Sequence, residues 1–193
     1  MNSKLPITLL PLKIGCVVGE EISKMLPASK RGVLKLKWPN DVLLEKKKVS
    51  GVLVEVEGSA VLIGVGVNVK EAPVITQSED DINFGREAAR LSTYLNGFDE
   101  GDGDRVNETV LTLARGIAGR LEEWCRAFEV DNFDAAREAD TIVGDFSRRV
   151  EFGVRMRMRQ GGWVAPLSIK ADGQLLVRDD SGDEKLLSSD YMI

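Results

Sequence analysis

The chain has 193 residues, 43% hydrophobic and 30% charged, a composition suited to a globular protein and not to a disordered one. Its net charge of −5 disfavours nucleic acid and anionic lipid as partners, and no apolar run approaches the ~20 residues of a membrane span. Histidine is absent, so any catalysis must use Lys, Arg, Asp, Glu, backbone donors or a bound metal.

The first residues, Met1 to Leu12, are apolar and carry Pro6 and Pro11. They lack the charged start and cleavage site of a signal peptide and read as the end of a strand cut by the start of the chain. Leu10, Ile14, Val18, Ile22 and Met25 recur at helical spacing, which predicts a helix over 12–26, ended by Pro27. Leu34, Leu36 and Trp38 alternate with Lys35 and Lys37 as a strand. Pro39-Asn40 breaks it, and a short strand follows at Val42 to Leu44.

A hairpin comes next. Val52, Val54 and Val56 alternate with Leu53, Glu55 and Glu57; Gly58-Ser59 fits a two-residue turn; a returning strand runs from Ala60 to Val69. Pairing Glu57 with Ala60 sets Leu53 opposite Gly64 and Gly51 opposite Gly66. Three glycines then share one face, with Asn68 at its end.

Residues 71–84 read as a polar loop, and 85–95 as a helix before the Gly/Asp-rich stretch Asn96 to Asp104. Asp104 would cap a long helix striped with Val106, Val110, Leu113, Ile117, Leu121, Trp124 and Phe128. A short helix over 132–140 closes the first domain, 1–144. From Asp145 the chain reads as strands and turns, giving a small β-barrel or SH3-like domain over 145–193. There Val150, Phe152, Val154, Met156 and Met158 alternate with a face bearing Arg155, Arg157 and Arg159. Cys16 and Cys125 fall within the helices, as core thiols of a reducing compartment.

Glycine inside a strand costs about 0.5–1 kcal/mol relative to Ala. One such glycine usually marks a bulge or a close backbone approach. Three on one face point to a flat or ring-shaped ligand lying on bare backbone. Beside them, Pro39 fixes the turn that presents Asn40 and Asp41. Asp41 suits a hard cation such as Mg²⁺ shared with phosphate oxygens, although Asn-Asp also serves simply to shape a turn. Lys46, Lys47 and Lys48 form a basic run. Such runs are usually solvated, but one member beside the glycines would neutralise a phosphate or carboxylate.

The segments Lys37-Trp38-Pro39-Asn40-Asp41, then Lys48-Val49-Ser50-Gly51-Val52-Leu53-Val54-Glu55, then Ile63-Gly64-Val65-Gly66-Val67-Asn68 resemble, in order and spacing, the signature of the biotin protein ligases. Trp163-Val164-Ala165 and Asp172-Gly173-Gln174-Leu175 are similar to the family's C-terminal β domain. The resemblance implies an α+β fold: part of a mixed sheet of the class II aminoacyl-tRNA synthetase and biotin-ligase type, with helices, then an SH3-like barrel. It implies ATP-dependent formation of biotinyl-5′-AMP, followed by transfer of biotin to a lysine of a carboxyl carrier protein domain, with Mg²⁺, in the cytoplasm.

By the same resemblance, Gly51, Val52 and Leu53 would line the biotin site with Gly64 and Gly66 beside them. Lys48 would meet the biotin carboxylate or the adenylate phosphate. Asp41 would help hold Mg²⁺, Asn68 would face the nucleotide phosphates, and Lys37, Trp38 and Asn40 would support them. In an unbroken strand, however, Lys48 points away from the face of Gly51: either the strand starts after Lys48, or a bulge turns it, or its role is not the one the resemblance implies. No Arg/Gly-rich loop precedes Lys37, unlike in the family. Activity is therefore expected to need a complementary N-terminal half or a homodimer. A non-catalytic binding module and a lipoate or octanoate ligase are the alternatives.

Overall fold

A computed structural model describes residues 5–74, 87–98, 101–129, 133–152, 154–158 and 161–188. The predicted 71–84 loop falls mostly outside these residues, as does Arg159.

Four antiparallel strands form the first sheet: β1 (Leu34–Lys37), β2 (Asp41–Leu44), β3 (Lys47–Glu57) and β4 (Ala60–Val67), in that order. Its two faces follow from period-2 alternation. Leu36, Val42, Ser50 and Val52 are buried on one face, against helix α1 (Leu10–Met25). Gly19 of α1 permits the close approach, since a Cβ there would sit 3.3 Å from Leu34 and 3.4 Å from Leu36. Helices α2 (Gly103–Arg126) and α3 (Ala135–Ser147) cover the other side of α1. A half-buried ion network ties them: Arg120 bridges Glu20 and Glu21, and Arg149 meets Glu20 at 2.7 Å.

The second sheet is antiparallel, in the order β5 (Met156–Arg157), β6 (Trp163–Ile169), β7 (Leu175–Asp179) and β8 (Glu184–Leu187). Its apolar residues Val164, Leu175, Val177 and Leu187 join the same hydrophobic core as α1. The architecture is α+β, as expected.

Several local expectations are corrected. Residues 7–9 form a 3-10 turn leading into α1, not a strand. In place of the helix at 85–95, among the described residues 87–95 only Leu91–Tyr94 makes a 3-10 turn. The backbone before it is drawn to waiting partners, with Ala89 N donating to Lys48 O and Leu91 N to Asn68 O. The cap of α2 is Asp102, not Asp104, because its Oδ1 accepts from both Asp104 N and Arg105 N. On α2 only Thr109, Leu113 and Ile117 are buried; Val110 and Phe128 of the predicted stripe are exposed. Helix α3 runs on to Ser147, so the strands begin later than Asp145, and Phe152 and Val154 lie exposed outside any strand.

Candidate functional site

The β3–β4 register matches the expected one: Glu57 pairs with Ala60, Leu53 with Gly64 and Gly51 with Gly66. Gly58 has φ +60°, which supplies the turn. Across all four strands, Lys37 pairs with Asp41, Asp41 with Gly51 and Gly51 with Gly66. One row, perpendicular to the strands, thus carries a cation, a carboxylate and two bare backbones on the face away from α1.

The floor is open at Gly66, where an added Cβ would meet nothing within 4 Å. At Gly64 it would meet only Leu53, at 3.6 Å from Cβ. Leu53 itself is 58% exposed on this face. Val52 does not join the floor: its side chain is buried on the α1 side.

The problem of Lys48 is resolved by a bulge. Val42 pairs with Ser50 and Leu43 with Lys48, leaving Val49 without a partner on β2. The extra residue turns Lys48 onto the glycine face. Its Nζ then lies 2.7 Å from Asp41 Oδ1, and its Cε and Nζ lie 3.1 Å from where a Gly51 Cβ would be. Asp41 is 8% exposed, and among the described residues its buried Oδ1 has no hydrogen-bond partner; its contact with Lys48 is an ion pair.

The other two lysines of the run are engaged elsewhere. Lys46 faces Glu151 at 3.8 Å, and Lys47 pairs with Glu87. That hydrogen bond holds the Glu87 carboxyl below, and the Lys47 ammonium above, their usual ranges.

Asn40 locks the corner before β2. Its Nδ2 donates to Val52 O at 2.7 Å, and its own carbonyl accepts from Val52 N at 3.0 Å. Asn68 is a second clamp, with Nδ2 donating to Lys48 O at 3.3 Å and to Ala89 O at 3.1 Å. Both amide protons are taken by backbone, which leaves the side-chain oxygen as its remaining group. Trp38 is buried, and its indole N–H donates to Gly173 O at 2.9 Å. Nothing in the local pattern of Asp172-Gly173 shows what it docks against. Trp38–Pro39 is a cis peptide bond. Among the described residues, no group of three or more His, Cys, Asp or Glu side chains is placed to hold a metal.

The model of the biotin/lipoate A/B protein ligase family matches residues 2–70, which contain Asp41, Lys48, the three glycines and Asn68. The bifunctional ligase/repressor BirA of Escherichia coli is 32% identical over 178 residues, covering 81% of this chain and 50% of that protein. A biotin–[acetyl-CoA-carboxylase] ligase of Mycobacterium tuberculosis is 41% identical over 66 residues, covering 33% of this chain and 24% of that protein. The chain spans about half the length of the BirA proteins it matches. Among solved structures, the apo biotin protein ligase of Aquifex aeolicus shares the fold. Its TM-score is 0.65 at 21% identity, and the match covers 97% of this chain and 75% of that one. The motif order within residues 37–68, the family match across it, the 32% identity to BirA and the shared fold together support a member of the biotin protein ligase family.

Proposed function

We propose that this chain provides the biotin- and nucleotide-binding floor of a biotin protein ligase. The activity is ATP-dependent formation of biotinyl-5′-AMP and transfer of biotin to a lysine of a carboxyl carrier protein. The observation that carries the reading is the row Lys37–Asp41–Gly51–Gly66, open at Gly66 and gripped at one end by Lys48. A fused ring with an apolar tail lies flat on Gly51, Gly64 and Gly66, with Leu53 at its flank. Lys48 leaves Asp41 to meet the biotin carboxylate and then the adenylate phosphate, where negative charge is concentrated.

Acyl adenylation needs two reactants held together and charge neutralised at phosphorus, which a His-free site supplies. Asn40 and Asn68 act here by position: one fixes the Asp41 corner and the other the Lys48 backbone. Lys37, beside Asp41 in the row, adds positive charge for the nucleotide.

The donor set fits Mg²⁺. Asp41 Oδ1 is a buried carboxylate oxygen with no hydrogen bond among the described residues, ion-paired to Lys48, and Mg²⁺ is commonly bound by one or two carboxylates plus substrate phosphates. Asp41 would hold it once Lys48 has moved to the anion. When bound, Mg²⁺ neutralises phosphate charge.

A second part of the proposal concerns the hairpin. Leu53, Val56, Val61, Leu62 and Ile63 are 40–60% exposed, and β4 is an outer strand of the sheet. Exposed apolar surface at a sheet edge favours a covering polypeptide. The occupant proposed is a complementary N-terminal half that completes the active enzyme. Biotin-dependent ATP–pyrophosphate exchange tests this. The chain alone is expected to show little exchange, and addition of the N-terminal half of a related ligase is expected to raise it. Full activity of the chain alone, or activation by self-association, would reject the complementing half.

A further inference from the structure

We propose that the turn at Lys170–Gln174 in the second sheet is a positioning element for the Asn40–Asp41 corner, acting through Gly173 and Trp38. The proposal rests on reading that corner as part of the ligase site.

A buried indole N–H must find an acceptor. Trp38 finds it 135 residues away, in the carbonyl of Gly173. That carbonyl belongs to a turn held at several points. Gly173 N donates to Lys170 O at 2.8 Å, Lys170 N to Gln174 O at 2.8 Å, and Gln174 N to Asp172 Oδ1 at 3.1 Å. Gly173 has φ +85°, and a Cβ there would lie 3.0 Å from Thr8 O and 3.2 Å from Leu9 Cδ2. Both the conformation and the space therefore require glycine. The Thr8 hydroxyl donates to Asp172 O, which fastens the turn to the segment ahead of α1.

On the other side of Trp38 the chain goes directly into the site. Two residues on, Asn40 exchanges both hydrogen bonds with Val52. Three residues on, Asp41 faces Gly51 and Lys48. The strand leading into Trp38 is anchored separately, just after α3, because Leu36 N donates to Arg149 O at 2.9 Å and Leu36 bridges Val150. The segment carrying Asp41 is thus held from both ends: by Val52 in the sheet and by the Gly173 turn beneath it. An apolar ring alone would fill the space under Trp38. The indole donor adds direction, and direction is what a corner presenting a carboxylate needs.

The test is amide hydrogen exchange on the full chain carrying Trp38→Phe, which keeps a ring and removes the donor. Thr8→Val is the second variant; it frees the turn while leaving Trp38 intact. Exchange at Val52 N–H, the donor to Asn40 O, is expected to quicken about tenfold in Trp38→Phe and also to rise in Thr8→Val. Val18 in α1 and Ile142 in α3 should exchange at the wild-type rate. The affinity for a non-hydrolysable biotinyl-adenylate analogue should fall about tenfold in the same variants. Exchange at Val52 within about twofold of wild type in both variants would overturn the proposal. So would one common acceleration at Val52, Val18 and Ile142, which reports only lost global stability. A wild-type chain that binds no analogue would defeat the ligase reading, while the exchange arm would still decide the positioning claim.

Discussion

Lys48 reaches Asp41 over the bare backbone of Gly51, with Nζ 2.7 Å from Oδ1. Three features of the sequence meet in that contact: a bulge at Val49 that turns the lysine, a glycine that lets it pass, and a corner that presents the carboxylate. The two charges meet in the place where the proposed function puts an anion.

The pair should be energetically coupled. Lys48→Met leaves a buried carboxylate without its counter-charge, and Asp41→Asn removes the need for one. Because the Lys48 side chain is 43% exposed, the coupling is expected near the low end of ion-pair values, about 1 kcal/mol. A double-mutant cycle by urea unfolding measures it; additive effects of the two changes would mean that the pair does not form in solution.

Ser50 is 2% exposed, and among the described residues its hydroxyl has no hydrogen-bond partner. It faces the apolar α1 side between Val42 and Val67. Ser50→Ala should therefore stabilise the fold by about 1 kcal/mol, since an unpaired buried hydroxyl costs about that much. A shift of the urea midpoint to lower concentration would contradict this.

The two cysteines should behave differently. Burial pushes the Cys16 thiol up to about 12 from 9.0, whereas Cys125 is exposed on α2. One thiol should react with a thiol-specific reagent in the folded chain, and two after unfolding. Unfolded Cys16 ionises near 9 and the folded thiol resists, so this contribution is complete below pH 9.0 and is lost as pH rises toward 12. Thermal unfolding across that interval should show a flatter decline for Cys16→Ala than for wild type.

The hairpin was legible in the sequence because strict alternation and a two-residue turn leave only one register. The glycine face followed from it. Parity raised a bulge only as one alternative for Lys48: one unpaired residue, Val49, changes no composition and no period, yet it decides which way Lys48 points. The extended stretch before Leu91 was misread as helix because its shape is set by the distant backbones of Lys48 and Asn68 and not by its own residues. Trp38 and Gly173 were each visible as local features. Their meeting was not, because no periodicity links residues so far apart. Asn68 was expected at phosphates, but the folded chain spends both its amide protons on carbonyls.

Gly66→Val offers the most direct measurement of the account. The strand is open above Gly66, and valine suits a strand, so folding should not suffer. Calorimetric titration with a biotinyl-adenylate analogue is predicted to show binding to the wild-type chain and at least ~100-fold weaker binding to the variant, since a branched side chain would stand where the ligand lies. The thermal midpoint should be unchanged or higher. Equal affinity of the two proteins would contradict the claim that a ring rests on the bare backbone of this sheet.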